Sequence, residues 1–323
     1  MTNGNPKSIN RSDVFIFLGR YGTIIILLAM IAVFSILLPP FRSGINILNL
    51  MGQTAILSIF AAGMTCCLKM GDFDLSIGAI AAITGIVVSK LLVAGYGITT
   101  AIICGILTGV LVGLFNGILV AYVGLSAFVC TLATMSVTLG AAMAITKGIS
   151  IWNLPKAFGF IGRGDLIGVP NRFIIMIVLL IILWFFHAYT TTGRRMEAIG
   201  GNPDAARLSG INVAFNRLLG YVLSGLCSAA AGIVLTSAVL SANAMQGTHY
   251  LLDAFGACFI GAATVRIGQF HIWGTFVGVL IVVIAINGLI IMMVPGYFTD
   301  MIKGTILLLA IVFSGVAGRF IRG

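Results

Sequence analysis

The sequence predicts an all-α protein that crosses a membrane about ten times. Only 8% of its 323 residues are charged and 60% are hydrophobic, whereas a soluble domain carries roughly 25% charged residues. The apolar residues form repeated runs of about 20, the length that a helix needs to cross a bilayer. Weakly alternating segments of about ten residues, which would indicate a β-barrel, are absent. This composition excludes a water-soluble globular domain.

Ten apolar runs are predicted to be membrane-spanning helices, and many of the stretches between them are short. In chain order the predicted spans cover residues 21–38, 52–70, 75–94, 98–122, 126–146, 172–189, 215–241, 250–265, 272–294 and 300–318. Because the connections are short, we expect one transmembrane domain over residues 1–323 rather than two domains on a tether. It has an external loop at 147–171 and a polar segment at 193–211.

Basic residues in the loops predict the orientation of the chain. If the N-terminus is cytoplasmic, eleven of the 18 Lys and Arg side chains lie inside and seven lie outside. Cytoplasmic loops carry the excess of such residues, so we expect both termini in the cytoplasm. The net charge of +10 then reflects topology and lipid head groups, and no nucleic-acid partner is expected.

Two pairs of similar segments indicate an internal repeat. GVLVGLFNGILV (109–120) resembles GVLIVVIAINGLII (278–291), and DLSIGAIAAI (74–83) resembles DAFGACFIGA (253–262). Spans that are five apart cross the membrane in opposite directions. The matches therefore predict two inverted halves of five helices each.

Three polar residues at or within the spans are candidates for a translocation path or its gate. Asn116 and Asn287 lie within long apolar runs, so each must form an interhelical hydrogen bond or line a solute path. Asp74 precedes the third span and either caps that helix or takes part in gating. Every acidic residue lies at or near the end of a span, which argues against a proton- or ion-coupled pump.

Glycines at strict intervals of four mark the fourth span: Gly105, Gly109, Gly113 and Gly117. Residues at this spacing share one face of a helix, and glycine lets a second backbone approach closely there. We expect this face to pack against another helix. A ligand or pore against the same groove is the alternative.

The sequence contains no convincing catalytic, metal or cofactor site. Its three histidines (His187, His249 and His271) are far apart, and its six cysteines lie inside apolar runs without the paired spacing of a metal site. No GxxxxGK[ST] stretch occurs. If ATP drives this protein, another subunit must bind and hydrolyse it.

The polar segment GRRMEAIGGNPDAARLSGI (193–211) holds five of the 26 charged side chains. Asn202 is a good N-cap, Pro203 suits the first helical position, and Gly210 is placed to end the helix. The two glycines before Asn202, at 200 and 201, allow a sharp approach. A helix of about two turns is too short to be stable alone, so it suits docking into a partner protein. The alternative is an ordinary connector with topology signals in its basic residues.

The same segment resembles the cytoplasmic coupling segment of ribose-type ABC importer permeases, whose motif is close to G-x-x-x-x-A-I-G-G-N-x-x-A-A-R-x-x-G-I. The matching residues are Gly193, Ala198, Ile199, Gly200, Gly201, Asn202, Ala205, Ala206, Arg207, Gly210 and Ile211. GDFDLSIGAI (71–80), TLATMSVTLGAA (131–142) and LSGLCSAAAGIVL (223–235) are also similar to this family. The chain departs from it at IGAATVRIGQFHIWG (260–274), where the family has a glycine-rich stretch.

This resemblance implies a non-enzymatic permease of the bacterial inner membrane, present as two copies, that imports a monosaccharide or related polar solute. It implies a periplasmic sugar-binding protein and a cytoplasmic ATPase as partners. The ATPase-coupling residues would be Glu197, Ala198, Gly200, Gly201, Asn202, Asp204, Ala205, Ala206, Arg207 and Gly210. Lys156, Arg163 and Arg172 are candidates for docking the binding protein. The alternatives are an ion-coupled secondary transporter and a nucleoside or amino acid permease on the same scaffold.

Overall fold

The fold is known from a computed structural model, which describes residues 11–264, 268–299, 301–305 and 308, with side chains from Tyr21 onwards. Most of these residues are helical. The helices are α1 (Arg11–Leu37), α2 (Gly44–Leu68), α3 (Ile77–Val93), α4 (Ile98–Ala121), α5 (Ala127–Thr146), α6 (Phe160–Arg163), α7 (Asn171–Tyr189), α8 (Thr191–Gly201), α9 (Pro203–Leu208), α10 (Val213–Val239), α11 (Tyr250–Ala262) and α12 (Ile272–Ile291). Short 3₁₀ turns lie at Pro39–Arg42 and Lys156–Gly159, and a small antiparallel hairpin joins β1 (Asp165–Leu166) to β2 (Val169–Pro170).

Six helices in the described part of the chain are long and apolar enough to cross a membrane: α2, α4, α5, α7, α10 and α12. Three shorter apolar stretches, Tyr21–Leu37, Ile77–Val93 and Tyr250–Ala262, correspond to the predicted first, third and eighth spans. The expectation of an all-α multi-pass membrane protein is therefore confirmed, apart from the small hairpin of β1 and β2. The predicted tenth span, 300–318, lies mostly outside the described residues.

Two sequence expectations about helix boundaries were wrong. Helix α2 begins at Gly44 rather than at residue 52, because Ser43 Oγ accepts a hydrogen bond from the Asn46 amide (3.3 Å). The polar Asn46 lowers the apolar content of this first turn without breaking the helix. The second concerns residues 200 and 201, which come directly before Asn202, the one residue between α8 and α9. They lie in the last turn of α8, which the sequence did not predict.

Helices α2 and α10 form the centre of the bundle. The most apolar stretches of both are 67% buried, against 22% for α4 and α7, which lie at the periphery. Helices α2, α3 and α4 pack against α10, and α11 and α12 pack against each other and against α2. Leu107, Leu111 and Phe115 on the outer face of α4 are exposed, as expected of side chains that meet lipid tails.

The four glycines of α4 face α3 and α10. A Cβ atom added at Gly105 would lie 2.5 Å from Val88 Cγ2, and one at Gly109 would lie 2.6 Å from Ala229 Cβ. At Gly113 the added atom would meet the Tyr221 carbonyl oxygen of α10. Protein atoms therefore fill the glycine groove, and it offers no room for a solute.

Candidate functional site

The polar segment 193–211 folds as most of α8 followed by α9. Asn202 Oδ1 accepts hydrogen bonds from the amides of Asp204 and Ala205, both at 3.0 Å, so it caps α9 as its side-chain chemistry predicts. Pro203 is the first residue of α9. Gly210, with φ of +78°, lies in the left-handed region just after the helix.

One face of the segment is attached to the protein and the other is exposed. Met196, Ile199 and Ala206 are buried against Met70 and Val213. On the opposite side, Arg194 and Arg195 are exposed, and Leu208 at the end of α9 is 91% exposed. The sequence predicts only that Leu208 favours a helix. A lone large apolar side chain in a short polar helix is the signal that would have identified it.

The segment contacts the loop between α2 and α3, which we call the inner loop (residues 69–76). Lys69 Nζ lies 3.1 Å from Glu197 Oε2, and the Lys69 side chain is only 9% exposed. Gly200 approaches the Lys69 carbonyl oxygen so closely that a Cβ atom there would collide with it. The predicted topology places the segment and this loop on the same side of the membrane, which agrees with these contacts.

A second charged contact joins the inner loop to the start of α10. Arg217 Nε lies 3.4 Å from Asp72 Oδ2, and the Asp72 side chain is 6% exposed. Neither atom makes a geometrically sound hydrogen bond within the described residues. Burial therefore outweighs the opposing charge of Arg217 and raises the pKa of Asp72 to about 6.

The raised pKa of Asp72 predicts a measurable pH dependence of stability. Its folded pKa of about 6 exceeds the ordinary value of 3.8, so protonation favours the folded state. This contribution is complete below about pH 4 and is lost as the pH rises through about 6. We expect the thermal midpoint of the wild type in lipid nanodiscs to fall, relative to that of Asp72→Asn, as the pH rises from about 5 to about 7. Parallel curves for the two proteins would contradict this.

Asp74, the candidate gate residue, is fully buried in the inner loop. Its Oδ1 accepts hydrogen bonds from the Ser76 amide (2.9 Å) and hydroxyl (2.6 Å), and its Oδ2 accepts one from Ser224 Oγ of α10 (2.6 Å). Burial raises the pKa of Asp74, and the bonds from Ser224 and Ser76 oppose that shift. Ser76 is the residue at the N-cap of α3, and its side chain makes no capping hydrogen bond. Asp74 accepts the Ser76 amide instead, so Asp74 joins the start of α3 to α10.

The two candidate asparagines lie in different places. Asn116 Nδ2 on α4 donates to Ser76 Oγ (2.9 Å), so Asn116 joins the Asp74 cluster. Asn287 on α12 exchanges two side-chain hydrogen bonds with Asn46 on α2, at 2.9 and 3.0 Å. All three predicted path residues are buried in contacts between elements, and the structure does not bring them to one cavity. Their part in the path stays a prediction.

A cleft of about 230 Å³ borders the segment on the same side of the protein. It is lined by Glu197 and Gly200 of α8, by Lys69 of the inner loop, and by residues 268–271. The last of these, His271, accepts a hydrogen bond at Nδ1 from the Gly274 amide (2.9 Å) and so caps α12. The turn that departs from the family pattern therefore lies beside the segment that matches it.

On the other side of the bundle, the three basic candidates for partner docking occupy different environments. Lys156 is exposed on its 3₁₀ turn. Arg163 is also exposed, but its guanidinium donates to the carbonyl oxygens of Ala238 and Val239 at the end of α10, both at 2.7 Å. Arg172 is half-buried with its guanidinium against Gly52 of α2. The three side chains differ in exposure and in partners, and their docking role stays a prediction.

The tip of the β1–β2 hairpin carries an apolar side chain that no sequence motif marked as a candidate. Ile167 is 96% exposed and has a φ of +54°, and Gly168 follows with a φ of +78°. Two positive φ values in a two-residue hairpin loop define the turn in which Asn-Gly is preferred. The backbone of an isoleucine is strained in this conformation, and its side chain here is also exposed.

The described residues contain no group of three His, Cys, Asp or Glu side chains that could hold a metal ion. The six cysteines are free thiols, and all but Cys104 are buried. Polar side chains instead come together at the polar segment (193–211) and the inner loop.

Comparison with known proteins decides the family. The family described as "Branched-chain amino acid transport system / permease component" matches residues 46–311. The ribose import permease protein RbsC of Bacillus subtilis (strain 168) is 40% identical over 297 residues, which cover 91% of this chain and 92% of that protein. The chain belongs to the ribose-type ABC importer permeases. The match to this permease begins inside α2 and extends beyond α12, so it includes the inner loop and the polar segment.

Other relatives of the permease are similar over most of their length. The ribose import permease protein RbsC of Escherichia coli (strain K12) is 34% identical over 90% of this chain and 91% of that protein. The D-allose transport system permease protein AlsC of the same strain is 32% identical over 94% of each chain. Its L-arabinose transport system permease protein AraH is 32% identical over 91% of this chain and 90% of that protein. No solved structure matches the permease.

Proposed function

We propose that the protein is the transmembrane subunit of an ATP-binding-cassette importer that carries a monosaccharide or related polar solute across the bacterial inner membrane. The observation that carries this proposal is its similarity to ribose, D-allose and L-arabinose permeases over at least 90% of their length. The amino acid named in the broader family description finds no support among these relatives.

A separate ATPase drives the transport, and α9 is its docking element. The sequence lacks a nucleotide-binding loop of its own. Helix α9 is capped by Asn202, held by buried Ala206 and exposes Leu208 outward. This combination fits a groove on a partner, because the exposed Leu208 offers an apolar side chain on a helix that its own chain already holds in place. The chain itself is proposed to catalyse no reaction and to hold no cofactor.

Two inverted halves are supported by the packing of the helices. If the repeat is real, α2, α3 and α4 correspond to α10, α11 and α12. Helix α4 packs on α3 and α10, and its proposed counterpart α12 packs on α11 and α2. A structure of this kind suits alternating access, in which outside docking and inside ATP hydrolysis favour different arrangements of the helices. We propose a second copy of the chain as the partner across the path, with both termini cytoplasmic.

The function can be tested in proteoliposomes that hold the permease together with its ATPase and binding protein. We expect uptake of labelled ribose, D-allose or L-arabinose to require ATP on the ATPase side and to be insensitive to an uncoupler. Uptake that persists without ATP and collapses with the uncoupler would identify an ion-coupled transporter instead. Labelled leucine tests the amino acid alternative in the same vesicles.

The binding protein is proposed to dock on the external loop, through the exposed Lys156 and the neighbouring arginines together with the tip of the hairpin. Ile167 offers apolar area at this tip, and Lys156 offers a positive charge to acidic groups. Replacing Arg172 with a small residue would remove both a charge and a packing contact, because its guanidinium lies against Gly52. Arg172→Lys is therefore the useful variant at that position.

Ile167→Asn is expected to weaken docking of the binding protein about tenfold, which is the lower end for loss of a buried isoleucine. The same change places the preferred Asn-Gly pair in the turn, so thermal stability should be unchanged or higher. Lys156→Ala should slow association about fivefold at low salt and little at high salt. Surface plasmon resonance on nanodiscs measures both effects. Unchanged docking by both variants would exclude this loop.

A further inference from the structure

The inner loop (residues 69–76) is the part of the protein where the polar segment and the transmembrane helices meet through polar contacts. Most loops lie on the surface, because buried backbone groups need partners. Here Asp72, Asp74, Leu75 and Ser76 are all buried. Burying a loop in this way requires a hydrogen-bond partner for each of its polar groups. Because those partners tie the loop to several helices, it is a candidate for a mechanical role.

We propose that the inner loop is the transmission element of the importer: it carries displacement of α8 and α9 to α4 and α5. This inference rests on the proposed function, in which an ATPase moves the polar segment. Lys69, Glu197 and Asp74 are its positioning residues. They act by holding the loop to the elements on either side.

The input contacts join the loop to the polar segment. The ion pair between Lys69 and Glu197, 3.1 Å long, fixes the start of the loop to α8. Gly200 in the last turn of α8 packs directly on the Lys69 carbonyl. Met70 lies in the same apolar cluster as Ile199 and Ala206. A shift of α8 and α9 would therefore also move residues 69 and 70.

The output contacts join the end of the loop to three transmembrane helices. Asp74 accepts a hydrogen bond from Ser224 on α10 (2.6 Å), and Ser76 accepts one from Asn116 on α4 (2.9 Å). The Leu75 amide donates to Thr131 Oγ1 on α5 (3.1 Å). Because α8 packs mainly on α7, α9 and α10, the loop supplies a polar connection from the segment to α4 and α5.

One buried acceptor of the output cluster is available to a donor from a second arrangement of the loop. Asn116 is fully buried, and its Oδ1 has no hydrogen-bond partner within the described residues. An unsatisfied buried acceptor is costly, and such atoms in native proteins are rare enough to need a reason. A shift of the loop that brings a donor to this oxygen would stabilise an alternative state of the importer.

The proposal can be tested on the complete complex with the number of ATP molecules hydrolysed per solute imported. Lys69→Gln and Glu197→Gln should each raise this ratio about fivefold or more, the lower end of typical coupling between sites. Because both substitutions remove the Lys69–Glu197 ion pair, their effects on the ratio should be less than additive in the double variant. The exchange Lys69→Glu with Glu197→Lys should restore the ratio to within about twofold of the wild type.

A second variant and a matched control separate transmission from folding and from docking. Asp74→Asn keeps the shape of the side chain and should uncouple hydrolysis from uptake while ATPase association stays at the wild-type affinity. Lys303→Gln breaks a similar ion pair, 3.2 Å from Asp253 and also partly buried, on the other side of the bundle, and should keep the wild-type ratio. Normal ratios in the Lys69, Glu197 and Asp74 variants would overturn the relay. Wild-type import without ATP would instead overturn the proposed function.

Discussion

Replacing Leu208 with serine is expected to weaken binding of the ATPase to the permease about tenfold to hundredfold. Leu208 is 91% exposed at the end of α9, and complete burial of a leucine contributes about 1.5–3 kcal/mol. A small number of buried side chains carries most of the binding energy of an interface. Because Leu208 contacts little of its own chain, the substitution should leave membrane insertion and thermal stability unchanged.

Leu208→Met is the matched control, since it keeps the apolar volume at the same position. Titration of purified ATPase onto nanodiscs that hold each variant measures the affinity directly. We expect the methionine variant to bind within about threefold of the wild type and the serine variant to need at least tenfold more ATPase. Equal affinities for all three proteins would show that α9 is a connector rather than a docking helix.

Much of the helix pattern follows from the sequence because spanning a bilayer leaves few alternatives. Apolar runs of sufficient length must be helices, since unpaired backbone groups are not tolerated in lipid. The cap of α9 was equally predictable, because Asn202, Pro203 and Gly210 each have a local conformational preference. Such features depend on neighbours in sequence. Helix α8 was missed because its three glycines and two threonines disfavour a helix locally, while burial of Met196 and Ile199 stabilises it.

The inner loop shows what the sequence could not supply. Asp74 was selected as a candidate, but its partner Ser224 lies 150 residues away, and no local pattern indicates that pairing. Lys69 and Glu197 are likewise distant in the chain, although the predicted topology places both on the same side. The sequence therefore predicts that Lys69 and Glu197 lie on one side of the membrane, but it does not predict that they contact each other. Those contacts depend on how α2, α4 and α10 pack.

Gly113→Ala is expected to destabilise the permease by about 2 kcal/mol, because overpacking of a close-packed interface typically costs 1–3 kcal/mol. The added Cβ atom would meet the Tyr221 carbonyl oxygen and lie 3.2 Å from Gly225 Cα. Both are backbone atoms, so no side chain can rotate away. Helices α4 and α10 must instead move apart, and Ser224, which holds Asp74, lies between the two contacted residues. The substitution should therefore also raise the ATP consumed per solute.

Gly140→Ala on α5 is the matched control for this prediction. Gly140 lies inside a helix, and a Cβ atom added there meets nothing within 4 Å. The intrinsic preference of helices for alanine should make this variant more stable by about 0.5–1 kcal/mol. The same change from glycine to alanine is therefore expected to destabilise the protein on α4 and to stabilise it on α5. Thermal unfolding in nanodiscs measures both effects. Equal stability of Gly113→Ala and Gly140→Ala would contradict the idea that the glycines of α4 serve to let α4 and α10 approach closely.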